Sequence, residues 1–139
     1  MPRALPVAGR PEDVLAHIGP GADVILPLAN GEPSGLLDVL ERENERLSGV
    51  RVHQMHALQE RPYLRGAYGD RLRHVSYFLS AVERAAYADG GCQLVPAHFS
   101  DMPRLLRRTT NCALSTRSIR TSPWCRCFRT CTCAARTWR

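Results

Sequence analysis

The sequence predicts an α/β fold, with a mainly parallel sheet flanked by helices. Short apolar runs alternate along the chain with segments of helical periodicity, the order expected of parallel strands joined by crossover helices. The most regular example is residues 23–47, in which a nearly continuous apolar run precedes a small-residue loop and an amphipathic segment. At 139 residues, the chain has room for one domain with a hydrophobic core.

Local signals set the bounds of these elements in turn. Pro11 suits the first position of a helix that runs to Ile18, and Ser34 and Ser80 are suitable N-caps for the next two helices. Pro27 is unfavourable within a strand because it has no N–H to donate. The expected strands are residues 23–28, 50–55, 74–79 and 93–96, and the expected helices are residues 11–18, 34–47, 80–87 and a segment that begins near 100.

The loop after the first strand is the best candidate for a binding site. It reads ANGEP, residues 29–33, and it follows the carboxyl end of a buried parallel strand, where ligands bind in open α/β sheets. Asn30 and Gly31 form a small pair that would expose backbone N–H groups beside an anionic ligand. Glu32 and Pro33 complete the predicted substrate-binding set in this loop, with a solvated position as the alternative for Glu32.

Histidines offer a second set of candidates. His53 and His56 are three residues apart in a strand-like segment, so they project to opposite faces and cannot readily share a metal ion. We therefore expect these two histidines and His74 to be polar residues at the surface or at a sheet edge. His98 follows the last expected strand at its carboxyl end, and it is kept as a substrate-binding candidate.

The composition of the chain changes abruptly after Arg108. Residues 1–108 contain thirteen arginines and thirteen acids, whereas residues 109–139 contain six arginines and no Asp, Glu or His. All seven threonines and five of the six cysteines lie after this point, and all ten glycines lie before it. The prediction is an α/β part at residues 1–108 and a disordered or irregular tail, rich in Arg, Cys and Thr, at residues 109–139.

The tail admits two binding hypotheses besides an accidental sequence. Four cysteines within residues 125–133 form a C-x-C-x₃-C-x-C pattern, which is a poor match to the C-x₂₋₄-C pairs of structural zinc sites. Arginines interleaved with aromatic residues permit non-specific contacts with nucleic acid. The alternative to an enzyme is therefore a small α/β binding module whose tail binds metal or nucleic acid; no specific metal site or nucleic-acid partner is predicted.

Residues 11–108 resemble a known family along their whole length. The similarity lies in the series ADVILPLANGEPSGLLDVLERE, RVHQMHAL, GDRLRHVSYFLS and LVPAHFSDMPRLL. In order and spacing this series is similar to the N-terminal domain of the acetyl-CoA hydrolase/transferase family. These are class I CoA-transferases, and they include acetate and 4-hydroxybutyrate CoA-transferases. The resemblance implies transfer of CoA between acetyl-CoA and a small carboxylic acid, or hydrolysis of acetyl-CoA, with the CoA thioester as a substrate and no bound cofactor.

The resemblance also implies that the catalytic groups lie outside this chain. The family uses a glutamate nucleophile and a glycine-rich loop that binds the oxyanion, and both belong to its C-terminal half. No catalytic residue is therefore assigned here, and the chain alone is expected to be inactive. Residues 112–114 could still be in register with an apolar strand of the family. The sequence beyond them indicates a frame shift near residues 110–115.

The remaining expectations concern location and partners. The chain has no apolar run near the roughly 20 residues of a membrane span, and its start lacks the apolar segment of a signal peptide. A cytoplasmic location without a membrane partner is therefore expected. The expected partners are an acyl-CoA and a small carboxylate, with self-association through an exposed edge of the sheet.

Overall fold

A computed structural model describes residues 10–27, 29–106 and 111–113. Within these residues, five strands form one sheet in the order β4-β3-β2-β1-β5, and each neighbouring pair is parallel. The strands are β1 (Asp23–Ile25), β2 (Val50–Gln54), β3 (Leu72–Ser76), β4 (Cys92–Leu94) and β5 (Asn111–Ala113), and the α-helices are α1 (Ser34–Arg42), α2 (Ala81–Ala88) and α3 (Met102–Leu106). The predicted α/β class, with a parallel sheet and flanking helices, is confirmed.

Two elements are shorter than the sequence indicates, each for a local reason. Strand β1, expected to run to residue 28, ends at Ile25. The N–H of Leu26 donates to the backbone oxygen of His53 in β2, so the backbone of Pro27 faces the other neighbouring strand. Pro27 has no N–H and cannot donate to that strand. The helix expected at residues 34–47 ends at Arg42 and is followed by a 3₁₀ turn. The Asn44 side chain donates to the backbone oxygen of Glu41 at 2.7 Å, a local bond that competes with helix continuation.

The other elements lie close to their expected positions. Residues Pro11–His17 form a 3₁₀ helix, β3 begins at Leu72 and β4 begins at Cys92. The helix expected at residues 80–87 is α2, and the N–H of Ser80 before it donates to the Glu83 carboxylate at 2.8 Å, one half of a capping box.

The two faces of the sheet bury different sets of residues, because side chains alternate along a strand. Val24, Val52 and Leu72 lie on the face that α1 and α2 cover, where Leu40 and Ala86 pack against them. On the opposite face, a smaller group joins β3 to α3. Its buried members are Val75, Tyr77 and Met102.

Helices α1 and α2 lie on one face of the sheet and α3 lies on the other. Right-handed crossovers require this, because the chain runs from β1 to β4 in one direction across the sheet and then returns to place β5 on the other side of β1. The backbone of β5 pairs with β1, with Val24 opposite Cys112. The predicted boundary at residues 108–109, the rest of the tail and its cysteine cluster lie outside the described residues. In the described part of the chain, none of the helices has the length and apolarity needed to cross a membrane.

Candidate functional site

The strand order places the loop after β1 at the topological switch point of the sheet. The chain passes from β1 through β2 and β3 to β4 on one side, and β5 then occupies the other side of β1. In open parallel sheets, ligands bind at the carboxyl ends of the strands where the order reverses. The loop at residues 29–33, predicted from the sequence as the binding loop, therefore leaves β1 at the position that the topology favours for a ligand.

The loop has a tight and partly strained backbone. Ala29 has φ 48°, in the left-handed region that non-glycine residues rarely adopt, and its N–H donates to the backbone oxygen of His56 at 3.2 Å. The N–H of Glu32 donates back to Ala29 at 3.0 Å and closes a 3₁₀ turn. A Cβ added at Gly31 would lie 2.8 Å from Cβ of Pro27, so the absence of a side chain at this position permits the close approach.

The predicted binding residues of this loop divide into an exposed and a buried pair. Asn30 and Gly31 are exposed at the middle of the loop, where a ligand can reach them. Pro33, which directly precedes α1, is fully buried. Their assignment to substrate binding stays a prediction, but the geometry brings only Asn30 and Gly31 to the surface.

Glu32 is not a solvated residue, so that alternative is wrong. Its side chain is 5% exposed, and its two carboxylate oxygens accept hydrogen bonds from Gln54 Nε2 at 2.9 Å and from Arg61 Nε at 3.1 Å. Tyr63 donates its hydroxyl to the Gln54 amide oxygen at 2.8 Å. The carboxylate therefore points into the protein and ties the loop to the end of β2.

The guanidinium of Arg61 joins the loop to helix α1. It contacts Glu32, Asp38 and Glu41 at 3.1, 2.8 and 3.2 Å, and it also donates to the backbone oxygen of Ser34 at 3.4 Å. Burial disfavours the charge of Arg61, but the bonds to Asp38 and Glu32 outweigh burial and raise the pKa of Arg61. We call Glu32, Asp38, Glu41 and Arg61 the Arg61 cluster. It holds one arginine and three carboxylates.

The expectation that His53 lies at the surface is wrong. His53 is buried, with Nε2 at 2.9 Å from Asp23 and Nδ1 at 2.8 Å from the Tyr77 hydroxyl. A carboxylate only accepts hydrogen bonds, so Nε2 carries the proton and Nδ1 accepts from Tyr77. Burial lowers the pKa of His53, in spite of the opposing effect of Asp23. Arg51 completes the chain of bonds by donating to Asp23 at 2.6 and 2.9 Å.

His74 is also buried rather than exposed. Its Nε2 lies 2.8 Å from Glu83, and both side chains are 0% exposed. The same carboxylate accepts from the N–H groups of Ser80 and Ala57 at 2.8 and 3.2 Å. Burial opposes the charge of Glu83, but hydrogen bonds from His74 and Ser80 outweigh burial and lower the pKa of Glu83 to about 2. The pair connects β3, α2 and the segment that follows β2.

His98 lies at the same sheet edge as the loop but on a different strand. It follows β4, and its Nδ1 is 2.8 Å from the Ser100 hydroxyl and accepts from the Ser100 N–H at 3.3 Å. Two strands separate β4 from β1, which places their ends about 14 Å apart at roughly 4.8 Å per strand. The side chain is exposed, and its role in substrate binding stays a prediction.

Sequence reasoning missed Arg61, Gln54 and Tyr63, which carry the contacts beneath the loop. Arg61 and Gln54 lie 20 to 29 positions from their partners in helix α1 and in the loop. No local sequence pattern marks contacts between residues that are so far apart in the chain. Among the described residues, no group of three or more His, Cys, Asp or Glu side chains is arranged to hold a metal ion.

Comparisons with known proteins find similarity to a CoA transferase and to solved structures over part of their lengths. No family model matches the chain. It is 30% identical over 97 residues to the succinyl-CoA:cyclohexane-1-carboxylate CoA transferase of Geobacter metallireducens, a match that covers 70% of this chain and 22% of the relative.

Solved structures of RipA have a similar fold over the part that this chain matches. RipA from Yersinia pestis matches with a TM-score of 0.61 and 29% identity over 70% of this chain and 25% of RipA. A RipA variant matches with a TM-score of 0.67 and 26% identity over 77% of this chain and 28% of that protein. The chain thus spans about a quarter of the length of the proteins that it matches, and over that span it is related to a CoA transferase.

Proposed function

We propose that this chain forms the N-terminal part of an acyl-CoA hydrolase/transferase. Such an enzyme transfers CoA between acetyl-CoA and a small carboxylic acid, or hydrolyses acetyl-CoA. The observation that carries the proposal is the 30% identity to a CoA transferase over 97 residues. The position of the exposed loop at the switch point of the sheet supports it independently, because this is where a substrate would enter.

In the proposed enzyme, the loop at residues 29–33 forms one wall of the substrate cleft. Asn30 and Gly31 present their side-chain amide and backbone groups to the ligand. The charged residue that directly follows them, Glu32, belongs to the Arg61 cluster, in which three carboxylates face one arginine. This excess of negative charge disfavours the phosphates of CoA at the loop, so the ligand portion that fits here is the uncharged pantetheine arm or the thioester.

Turnover is proposed to require more of the enzyme than this chain supplies. The chain spans 22% of the length of the curated relative, and the family resemblance assigns the glutamate nucleophile and the oxyanion loop to the other half. The proposed partners are the acyl-CoA and a small carboxylate, in the cytoplasm, with self-association through a sheet edge. The coenzyme takes part as a thioester substrate.

Binding and turnover can be measured separately on the full 139-residue chain. Acetyl-CoA should bind in isothermal titration calorimetry, whereas liquid chromatography should detect no CoA release above the uncatalysed rate, with or without acetate, succinate or cyclohexane-1-carboxylate. Asn30→Ala should weaken binding, and Gln93→Ala, an exposed change on β4, should not. Absence of acetyl-CoA binding would contradict the proposed loop function, and enzymatic CoA release would contradict the proposed inactivity.

The composition of residues 109–139 supports a second part of the proposal, that these residues are read out of frame. Sequencing the coding DNA across the codons for residues 109–115, and several hundred bases beyond, tests it. A one- or two-base correction that opens a frame with a second α/β half is the expected result. An unchanged sequence, together with stoichiometric zinc and protection of the four clustered thiols, would instead support the binding-module alternative.

A further inference from the structure

The strained conformation at Ala29 must be fixed by contacts from outside the loop. A left-handed φ at a residue with a Cβ is unfavourable, and it persists where the surrounding structure over-determines the backbone. The bond from the Ala29 N–H to His56 secures the start of the loop. The far end, at Glu32, needs a second anchor, because a loop held at one end only can relax the strain.

Arg61 supplies this second anchor. Its Nε bonds to Glu32 at the end of the loop, and its terminal nitrogens bond to Ser34, Asp38 and Glu41 in α1. The Arg61 side chain is 9% exposed, so these bonds are sheltered from water on most sides. One planar group therefore fixes the loop and the first two turns of α1 in a single orientation.

This anchoring leaves only the middle of the loop accessible. Asn30 and Gly31 are exposed, whereas Glu32 and Pro33 on their C-terminal side are held beneath the surface. We propose that Arg61 is a positioning residue for substrate binding, which holds residues 29–33 in their strained conformation so that Asn30 and Gly31 meet the acyl-CoA without reordering. Binding to a preformed loop avoids the entropic cost of ordering it. The identity of the ligand rests on the proposed function, whereas the anchoring itself does not.

The Arg61→Lys variant tests this role, because lysine keeps the charge but cannot bond to several partners in one plane. Amide hydrogen exchange in the full-length chain should be about tenfold faster for the N–H groups of Ala29 and Glu32. The N–H groups of Arg51 and Val95, which bond within the sheet, should keep their rates. The matched control is Arg65→Lys, an exposed arginine that pairs with Glu60.

A residue that only stabilised the fold would change the exchange rates of loop and sheet together, and that result would overturn the proposal. An unchanged loop would overturn it too. Should Arg61→Lys fail to fold, Asp38→Ala removes one bond of Arg61 at a side chain that is 64% exposed. This variant should accelerate the loop amides alone, by roughly threefold.

The affinity for acetyl-CoA provides the functional readout. Its Kd should rise about tenfold in Arg61→Lys and stay unchanged in Arg65→Lys. A looser loop with an unchanged Kd would overturn the role in binding. If the unmodified chain does not bind acetyl-CoA at all, the proposed function fails, and the exchange rates still decide whether Arg61 holds the loop.

Discussion

Two buried hydrogen-bond networks lie on the same face of the sheet, and they differ in how far they extend towards the surface. The pair of His74 and Glu83 is 0% exposed and is enclosed by β3, α2 and the segment after β2. The Arg61 cluster begins with buried groups but ends at Asp38, whose side chain is 64% exposed. Burial alone therefore does not identify a candidate site. The network at the carboxyl edge of the sheet, next to the exposed loop, is the one that extends to the surface, at Asp38.

The two networks also differ in their balance of donors and acceptors. Glu83 accepts from a histidine and two backbone N–H groups, so its charge is satisfied in place. In the Arg61 cluster three carboxylates share one guanidinium, and one of them, Asp38, is largely exposed to solvent. The His74–Glu83 pair therefore resembles the interior of a core, whereas the Arg61 cluster connects the loop to helix α1.

The largest expected effect follows from breaking the enclosed pair. Glu83→Ala leaves three buried donors, the His74 ring and the N–H groups of Ala57 and Ser80, without their acceptor. At about 1–3 kcal/mol for each unsatisfied buried donor, the change should lower the free energy of unfolding by about 3–5 kcal/mol. Urea denaturation followed by circular dichroism measures the change. Glu60→Ala is the matched control.

Glu60 is 56% exposed and pairs with the exposed Arg65, so its removal should change the free energy by less than about 1 kcal/mol. A Glu83→Ala variant that lost as little as the control would show that the enclosed network contributes no more than a surface ion pair. The contrast between the two networks would then fail.

Acid should weaken the enclosed pair within a defined pH range. The pKa of Glu83 is lowered from 4.5 to about 2 in the folded chain. A lowered carboxyl pKa contributes stability that is present above pH 4.5 and is lost as the pH falls towards 2, roughly 3 kcal/mol for this shift. The unfolding free energy of the unmodified chain should therefore fall more steeply with acid than that of Glu83→Gln, measured by urea denaturation at a series of pH values.

His53, on the opposite face, should act at higher pH. Its folded pKa is lowered from 6.5, mainly by burial, so the neutral ring is favoured in the fold. Its contribution is present above pH 6.5 and is lost as the pH falls below that value. Between pH 7.5 and 5.5, the stability of the unmodified chain should fall relative to His53→Gln, whereas the exposed His98→Gln should follow the unmodified chain. Parallel profiles for all three proteins would contradict the assignment of a neutral, buried His53.

The sequence predicts the position of the loop after β1 but not the buried partners of His53 and Arg61, for a physical reason. The strands follow from their apolar runs, and the loop follows from its place after β1, since both signals are local. The partners of His53 and Arg61 are set by strand register and by helix packing across 24 to 30 and 20 to 29 residues, respectively. A histidine in a sequence can lie at the surface or in the core. The burial of His53 and His74 is recognised only from the folded structure, in which Asp23 and Glu83 contact them.

A smaller effect is expected from the strained position of the loop. Ala29→Gly removes the left-handed strain of about 1–2 kcal/mol but adds unfolded-state entropy, so we expect a net gain of up to about 1 kcal/mol. Ala29→Val should lose at least about 1 kcal/mol, since a branched Cβ is disfavoured at φ 48°. Thermal unfolding of the two variants tests the order. Equal stabilities would show that the loop relaxes freely and that the Arg61 cluster does not fix it.

The smallest effect compares two glycines on either side of the loop's buried end. A Cβ added at Gly35, in the first turn of α1, meets nothing within 4 Å, and Gly35→Ala should stabilise the chain by up to about 1 kcal/mol through helix propensity. Gly31→Ala places its Cβ 2.8 Å from Cβ of Pro27, so it should destabilise by a comparable amount if the loop is held rigidly. Urea midpoints of the two variants should therefore move in opposite directions. A Gly31→Ala variant as stable as the unmodified chain would mean that the loop shifts to accommodate a methyl group, which a loop fixed by His56 at one end and by Arg61 at the other should not do.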